Sequence, residues 1–407
     1  MIVIIVATMT LWIIHHNTSQ YNDDNEHRSF PFCHQHPNPS FLLEHQALGY
    51  LKHHRRIDDV MIPSTVWQGG IHGVLYMAVR NEQLANVRET IRSLEDRFNH
   101  RYHYPWILLC PEGFSDSFIS YTKHLASGPI YYGKVDLQAF ITPPWVQHRV
   151  FLKKMTSWSN PKEHLDFTFH QLMRYQSGIF YHHPLFKSVD YIWKIDPGTS
   201  FSCNDMDDPF KTMQDNNKTY GFTVTQRQPQ GDVSGKHIWK LTESFIKHHH
   251  HLSILPSNKT IMQSIMERYR GNDDSEDNDH GYSTCHFGSS IELMDMRFLK
   301  SAAYQYFFKY MDQTGAFFYE KFTDVAFRTL AIALFSNTAD IQFLNEIGLE
   351  GNHHCPLDMD HSKKCACDYH GPDVFQPDSC TIQLLSQIDP NAIKNVTRFI
   401  RSRMDHP

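Results

Sequence analysis

The segment from residue 284 to 335 carries side chains suited to chemistry on a sugar. Glu292 follows the triplet Cys-His-Phe, and Glu320 and Asp324 come after an amphipathic, helix-like stretch. A reaction at an anomeric carbon needs one carboxylate beside that carbon and others that bind the sugar hydroxyls, all held by a rigid scaffold. Carboxylates alone are compatible with a glycoside hydrolase and with an enzyme that transfers a sugar.

Another carboxylate follows a predicted buried strand. Residues 190 to 195 (DYIWKI) are typical of such a strand, and Asp196-Pro197-Gly198 is a turn signal. Transfer from a nucleotide donor requires neutralisation of a diphosphate, usually by a divalent cation that carboxylates hold at the C-terminal edge of a sheet. Asp-Pro-Gly is also a common solvated turn, so the tripeptide alone does not separate the two roles.

The elements that must hold these carboxylates alternate as in an α/β sheet. Helical spacing and apolar runs predict helices at 86–98 and 168–176 and strands at 73–79, 104–109, 131–133, 190–195 and 218–225. We interpret the stretch GNDDSEDNDHG, within 255–282, as an acidic, flexible insertion. No repeat or clear linker divides the chain. We therefore predict a stem and lead-in segment at 15–70 and one large mixed α/β domain at 71–407.

Composition excludes one class of partner. An apolar fraction of 41% in 407 residues is enough for a sizeable core. The net charge of −6 argues against a nucleic-acid footprint, because such proteins need a basic surface. We expect no nucleic-acid partner.

Several features fit the secretory pathway. The first fourteen residues, MIVIIVATMTLWII, are apolar apart from two threonines, but they are shorter than the ~20 residues of a spanning helix and follow no basic segment. They are compatible with a signal anchor, a signal peptide or a truncated gene model. Eight cysteines and four glycosylation sequons also fit a secretory lumen; the sequons begin at Asn17, Asn217, Asn258 and Asn395.

The cysteines near the C-terminus favour disulfides over zinc. Cys355, Cys365, Cys367 and Cys380 follow the pattern Cys-x9-Cys-x-Cys-x12-Cys, whereas zinc sites usually contain Cys-x2-Cys pairs. The spacing does not reveal which cysteines pair.

The same segments resemble a known family. CHFGSSIEL (285–293) and AFFYEKFTDVAFRT (316–329) are similar to the CHFWSNFEI and GGFFYERWGDAPVHS motifs of the fungal α-1,2-mannosyltransferases of glycosyltransferase family 15. The block that begins MAVRNEQ (77–83) resembles that family's opening strand, Arg-Asn and helix, and MRYQSGIF (173–180) resembles its MCRFxSGFF motif. The resemblance covers nearly the whole chain beyond the stem.

The resemblance implies a fold and an activity. The fold would be a GT-A-like modified Rossmann fold, with a mixed central sheet flanked by helices and a single catalytic domain. The activity would be retaining transfer of mannose from GDP-mannose to a mannose-terminated glycan or glycoprotein in α-1,2 linkage, with Mn²⁺ as cofactor. The protein would be a type II Golgi membrane protein, attached through its N-terminal segment, with a lumenal catalytic domain.

The resemblance also implies roles for individual residues. Glu292 would lie beside the anomeric carbon, as a nucleophile or as a stabiliser of an ion pair. Arg80 and Asn81 would lie near the nucleotide, and Asp324 and Glu320 would bind sugar hydroxyls. Arg174 and Ser177 would also bind substrate. The metal ligands would be Asp196 and either His353 or His354.

Each of these roles has a structural alternative. Arg80 would otherwise be a surface residue at a strand end, and Glu292 a carboxylate at a helix N-terminus. Glu320 would otherwise cap or pair near the start of a helix. His353 and His354 would be loop residues beside a disulfide.

The sequence departs from the family's motifs around these residues. Asp196 replaces a Glu, Gly288 a Trp and Arg328 a His. Since a misplacement of ~1 Å lowers a rate steeply, such changes favour altered specificity or lost activity. The alternative function is a non-catalytic paralogue that binds mannan or GDP.

Overall fold

The structure is a computed structural model that describes most of the chain from residue 61 onward. The described ranges are 61–67, 70–157, 167–227, 234–269, 279–320, 322–350, 354–357, 362–366 and 373–404. The N-terminal apolar segment, Asn17, most of the predicted stem and His353 lie outside them, so the predicted boundaries at 14 and 70 stay predictions. Within these ranges, no helix is long and apolar enough to cross a membrane.

A seven-stranded mixed sheet forms the centre, in the order β11–β5–β10–β4–β1–β2–β3. Its strands are β1 (Gly73–Ala78), β2 (Trp106–Cys110), β3 (Ile130–Lys134), β4 (Tyr191–Ile195), β5 (Tyr220–Phe222), β10 (Ile291–Asp295) and β11 (Ile341–Phe343). Neighbouring strands pair in parallel except at β10, which is antiparallel to both β4 and β5. The predicted mixed sheet is confirmed.

Two short ribbons accompany the sheet. β6 (Thr225–Arg227) pairs with β9 (Cys285–Phe287), and β7 (Met266–Tyr269) pairs with β8 (Asp279–Tyr282).

Helices cover both faces of the sheet. In chain order they are α1 (Leu84–Leu94), α2 (His100–Tyr102), α3 (Asp116–Thr122), α4 (Leu137–Phe140), α5 (His148–Ser157), α6 (Phe167–Gly178), α7 (Pro209–Asp215), α8 (Ser234–His248), α9 (Met262–Ile265), α10 (Met296–Leu299), α11 (Ala302–Gln313), α12 (Ala316–Tyr319), α13 (Asp324–Phe335), α14 (Thr381–Ile388) and α15 (Pro390–Met404). The central strands β1, β2, β4 and β10 are buried along almost their whole length, as expected for a sheet with helices on both sides.

The alternation of side chains along each strand gives two separate cores. Tyr76, Ile192 and Met294 point to the face covered by α6, α11 and α13. Leu75 and Trp193 point to the opposite face, where α1 and α7 pack. Lys194 and Glu292 lie two residues from Ile192 and Met294, so both charges belong to the first face.

Most predicted elements are present, with shifts at their ends. The predicted strand at 190–195 is β4, and the predicted helix at 168–176 is α6, Phe167–Gly178. The predicted helix at 86–98 begins earlier, at Leu84, and continues past Leu94 into a π-helical turn, Glu95–Asn99.

Two predictions needed correction. The single strand at 218–225 is divided, because the chain leaves the main sheet after β5 and pairs with β9 as β6. The insertion at 255–282 is not wholly irregular, since its flanks form α9 and the β7–β8 ribbon. Residues 270–278, the acidic centre of that insertion, lie outside the described ranges.

The predicted disulfides of the C-terminal region are confirmed, and they join this region to the rest of the domain, a pairing that was not predicted. Cys203 is bonded to Cys365 and Cys285 to Cys380, and Cys355 is also in a disulfide. The second bond joins β9 to the start of α14 across a sequence separation of 95 residues. Because a cross-link between distant residues restricts the unfolded chain, this bond is expected to stabilise the fold.

Replacement of Cys285 and Cys380 together by Ala is therefore expected to lower the free energy of unfolding by about 2–5 kcal/mol. Urea unfolding of the oxidised protein measures this loss. The matched control is Cys110→Ala, which removes a buried free thiol and no cross-link. An equal loss in both proteins would show that burial of sulfur, and not the bond, provides the stability.

Candidate active site

The reversal of β10 brings two strand ends together. Because β10 runs opposite to β4, its first residues lie at the edge where β4 ends, and Glu292 is opposite Lys194. The backbone N–H of Asp196 donates to the carbonyl of Ser290 at 3.1 Å. The carboxylates of Asp196 and Glu292, which are distant in sequence, thus lie at the C-terminal edge of the sheet.

Helix α13 adds a carboxylate and a guanidinium to the same edge. Thr323 caps the helix, and its hydroxyl accepts from the N–H of Ala326. Asp324 and Arg328 are four residues apart and therefore share one face of the helix. Residues 324–334 are all buried, so α13 carries both charges into the interior against the sheet.

Glu292 is surrounded by hydrogen-bond donors. Arg328 Nε donates to Oε1 at 2.6 Å, and Arg328 Nη2 donates to Oε2. The Tyr220 hydroxyl donates to Oε1 at 2.6 Å, and Lys194 Nζ lies 3.2 Å from Oε2. The side chain of Glu292 has no solvent exposure. The carboxylate is thus enclosed and paired with two cations.

Asp324 shares both cations. Arg328 Nη2 lies 2.5 Å and Lys194 Nζ 3.6 Å from Asp324 Oδ2. Burial raises the pKa of Asp324, but the charges of Lys194 and Arg328 outweigh it and lower that pKa to about 2. Burial likewise opposes the charge of Lys194, yet the carboxylates of Asp196, Asp324 and Glu292 raise its pKa above the ordinary value.

Glu292, Asp324 and Asp196 form one cluster with Lys194 and Arg328, and Asp196 is the carboxylate of this cluster that is exposed to solvent. It lies 3.3 Å from Lys194 Nζ, and 42% of its side chain is exposed, against 5% or less for Glu292 and Asp324. The turn after it depends on Gly198, whose φ of 96° favours glycine and whose N–H donates to Thr90 Oγ1. Among Asp196, Glu292 and Asp324, Asp196 is therefore the carboxylate in contact with solvent.

The sequence matches the family described as glycolipid 2-alpha-mannosyltransferase over residues 54–388. The chain belongs to this family. It is 33% identical to O-glycoside alpha-1,2-mannosyltransferase omh1 of Schizosaccharomyces pombe over 305 residues, which are 73% of this chain and 74% of the relative. It is 30% identical to the probable mannosyltransferase KTR3 of Saccharomyces cerevisiae over 352 residues, which are 81% of this chain and 82% of the relative.

Solved structures share the fold. Core-mannan synthase A of Aspergillus fumigatus, in its Mn/GDP form, is 27% identical with a TM-score of 0.66 and covers 84% of this chain and 90% of its own. The mannosyltransferase Ktr4p of S. cerevisiae in complex with GDP has a TM-score of 0.69 at 23% identity, over 91% of this chain and 95% of its own. The predicted GT-A-like fold and glycosyltransferase family are confirmed.

In this family member, the residues predicted at the nucleotide end occupy the loop after β1. Asn81 Nδ2 donates to the carbonyl of Gly113 at 2.9 Å, and the N–H of Ser115 donates to Asn81 Oδ1 at 3.0 Å. Asn81 thus ties the end of β1 to the loop after β2. The adjacent Arg80 is half-buried at the same edge. Their contact with a nucleotide stays a prediction.

Other predicted substrate residues form ion pairs outside the Glu292 cluster. Arg174 makes a two-pronged contact with Asp312 at 2.7 and 2.8 Å, which joins α6 to α11. Glu320 Oε1 lies 2.5 Å from His237 Nδ1 and 3.2 Å from Lys154 Nζ.

Ser177 lies nearer to the cluster through the backbone of α6. Its carbonyl accepts from the Tyr304 hydroxyl at 2.7 Å, and the preceding carbonyl, of Gln176, accepts from Arg328 Nη1 at 2.7 Å. The roles of Arg174, Ser177 and Glu320 toward substrate stay predictions.

The described residues do not fit the predicted Mn²⁺ site. Among them, no group of three or more His, Cys, Asp or Glu side chains is placed to hold a metal ion. Asp196 contacts the Lys194 ammonium instead. His354 is fully buried beside Phe343, and burial lowers its pKa to about 3. The other candidate ligand, His353, is outside the described ranges.

The residues that sequence reasoning missed are the ones that pair the carboxylates. Lys194 is a charge inside the otherwise apolar run YIWKI, and a charge at an inward position of a buried strand signals a buried partner. Tyr220 gave no comparable signal, because tyrosine is common in strands. Arg328 attracted notice only as a departure from a motif.

The low pKa of Asp324 predicts how stability depends on pH. A carboxyl whose pKa is lower in the folded state stabilises the fold above its unfolded pKa, near 3.8, and loses that contribution as the pH falls toward 2. We expect Asp324→Asn to destabilise the protein at pH 6 by about 2 kcal/mol more than at pH 2.5, measured by urea unfolding. The exposed Asp207→Asn is the control, with the same small effect at both pH values. If the loss of unfolding free energy caused by Asp324→Asn is as large at pH 2.5 as at pH 6, the ion pairing is contradicted.

Proposed function

We propose that this chain is a retaining mannosyltransferase that moves mannose from GDP-mannose to a mannose-terminated glycan in α-1,2 linkage. The observation that carries the proposal is the cluster of Asp196, Glu292 and Asp324 at the C-terminal edge of the sheet, within a chain of this family. In open α/β sheets, ligands bind in the crevice outside the carboxyl ends of the strands.

The residues divide into a nucleotide side and a sugar side. Asn81 and Arg80 belong to the nucleotide side, at the ends of β1 and β2. On the sugar side, Asp196 is accessible to a hydroxyl or to the anomeric centre, whereas Asp324 holds the two buried cations in place. Glu292 is the candidate anomeric carboxylate. In that role it would attack the anomeric carbon, which requires a free lone pair, or stabilise an oxocarbenium-like ion pair, which requires an unneutralised negative charge beside the sugar.

Mn²⁺ enters the proposal only through the resemblance and through the similar Mn/GDP-form structure. If bound, the ion would neutralise the diphosphate leaving group. The described residues provide no site for it, and no step of the proposed transfer depends on it. We further propose a Golgi location with the domain in the lumen, which the disulfides support because such bonds persist in oxidising compartments.

A second function has an observation of its own. Because both oxygens of Glu292 are occupied and the side chain is buried, the chain is also suited to bind GDP or mannan without turnover. In that case, Glu292→Gln would leave ligand binding unchanged.

The proposal predicts that purified protein transfers mannose from GDP-mannose to α-methyl-mannoside, with α-1,2-linked dimannoside as the product. Mass spectrometry and linkage analysis measure the product, in parallel reactions with Mn²⁺ and with a chelator. UDP-galactose is the donor control and should not react. GDP binding without product would favour the non-catalytic function, and absence of both binding and product would sink the proposal. Free mannose released from mannan without nucleotide would instead indicate a hydrolase.

A further inference from the structure

Arg328 and its neighbours enclose the Glu292 carboxylate. An ionised carboxylate has about four lone-pair positions, and here two accept from Arg328 and one from Tyr220, while the Lys194 ammonium lies 3.2 Å from Oε2 as an ion-pair partner. No part of the side chain is exposed. In this arrangement Glu292 presents no exposed oxygen that a sugar could reach. A carboxylate so placed neither attacks an anomeric carbon nor accepts from a hydroxyl.

Arg328 is itself held firmly. Its Nη1 donates to the carbonyl of Gln176 in α6, and its Nη2 also contacts Asp324 one turn earlier in α13. The side chain is completely buried, so its withdrawal from Glu292 would leave uncompensated charges in the interior. The arginine therefore remains on the carboxylate unless the helix moves.

The other two donors hold Glu292 differently. Tyr220 donates to Oε1 and Lys194 lies beside Oε2, one contact on each oxygen. Without the guanidinium, these two would keep the carboxylate in position and leave one lone pair free on each oxygen. The charge balance would change as well, from two cations against three carboxylates to one cation against three. Glu292 would then be positioned, less neutralised and able to react.

We propose that Arg328 is a positioning residue that holds Glu292 out of the reaction, and that it thereby limits the rate of transfer in this chain. The inference rests on the proposed mannosyl transfer and identifies the side chain that controls it. A shorter residue at position 328 that cannot donate hydrogen bonds to both oxygens would leave Glu292 available for reaction. Histidine is the substitution to test, because the family motif that residues 316–329 resemble has a histidine at the position of Arg328.

Arg328→His is expected to raise kcat for transfer to α-methyl-mannoside by about tenfold or more, which corresponds to about 1.4 kcal/mol of barrier. KM for GDP-mannose should stay within about twofold, because the nucleotide side is untouched. Adding Glu292→Gln to this variant should abolish the gain. A purely structural role of Arg328 would lower activity and melting temperature together and would not raise kcat.

The matched control is Arg297→His. Arg297 grips Asp295 through two nitrogens at the other end of the same strand, and it is 69% exposed. This variant should leave kcat unchanged. If kcat rises as much in Arg297→His as in Arg328→His, the increase results from a general loosening of β10, and the inference is overturned.

Two further outcomes separate the inference from the proposed function. Folded Arg328→His that binds GDP but transfers no faster than the wild type would overturn the inference and leave the proposed function standing. Failure of the wild type to bind GDP by calorimetry would contradict the proposed function itself. Should Arg328→His not fold, Arg328→Lys decides, because a lysine keeps the charge but grips only one oxygen. It should give a smaller gain, and no gain would overturn the inference.

Discussion

Burial of charge is the constraint on which the centre of this protein depends. Glu292 and Asp324 are removed from water, and an unpaired carboxylate in such a place would be prohibitively costly. Lys194 and Arg328 compensate them, and in doing so they tie β4, β10 and α13 to one another. Because the loss of one partner would leave the other as an unpaired buried charge, the network fixes both the register of β10 and the position of α13.

The same network shapes the chemistry that the edge of the sheet offers. Its inner part is saturated, with phenol, guanidinium and ammonium donors arranged around Glu292. Its outer part ends in Asp196, which meets solvent. Separate buried pairs, such as Arg174 with Asp312, hold the surrounding helices without entering the cluster. The fold therefore separates charges that maintain structure from the carboxylate that faces solvent.

Local sequence patterns predicted most elements well. They failed where two different strand pairings give the same pattern over a short stretch of sequence. The run at 218–225 is rich in strand-forming residues from end to end, so nothing local reveals that residues 220–222 pair in the main sheet and 225–227 pair with β9. The hairpin β7–β8 was missed because its two strands flank a polar stretch that dominates the composition. Strand partners are chosen by contacts between distant residues, and a window of ten residues contains none of them.

The order of residues was sufficient to identify the family, the mixed α/β sheet, and Glu292, Asp324 and Asp196 as carboxylates of interest. Cysteine spacing also favoured disulfides over zinc, although it did not give their pairing. Packing alone decided which cation meets which carboxylate. Arg328 is 36 residues from Glu292, and Lys194 is on another strand, so their contact exists only because β10 is reversed and α13 lies across it. Electrostatic partners in an interior are set by distance in space, which spacing along the chain does not encode.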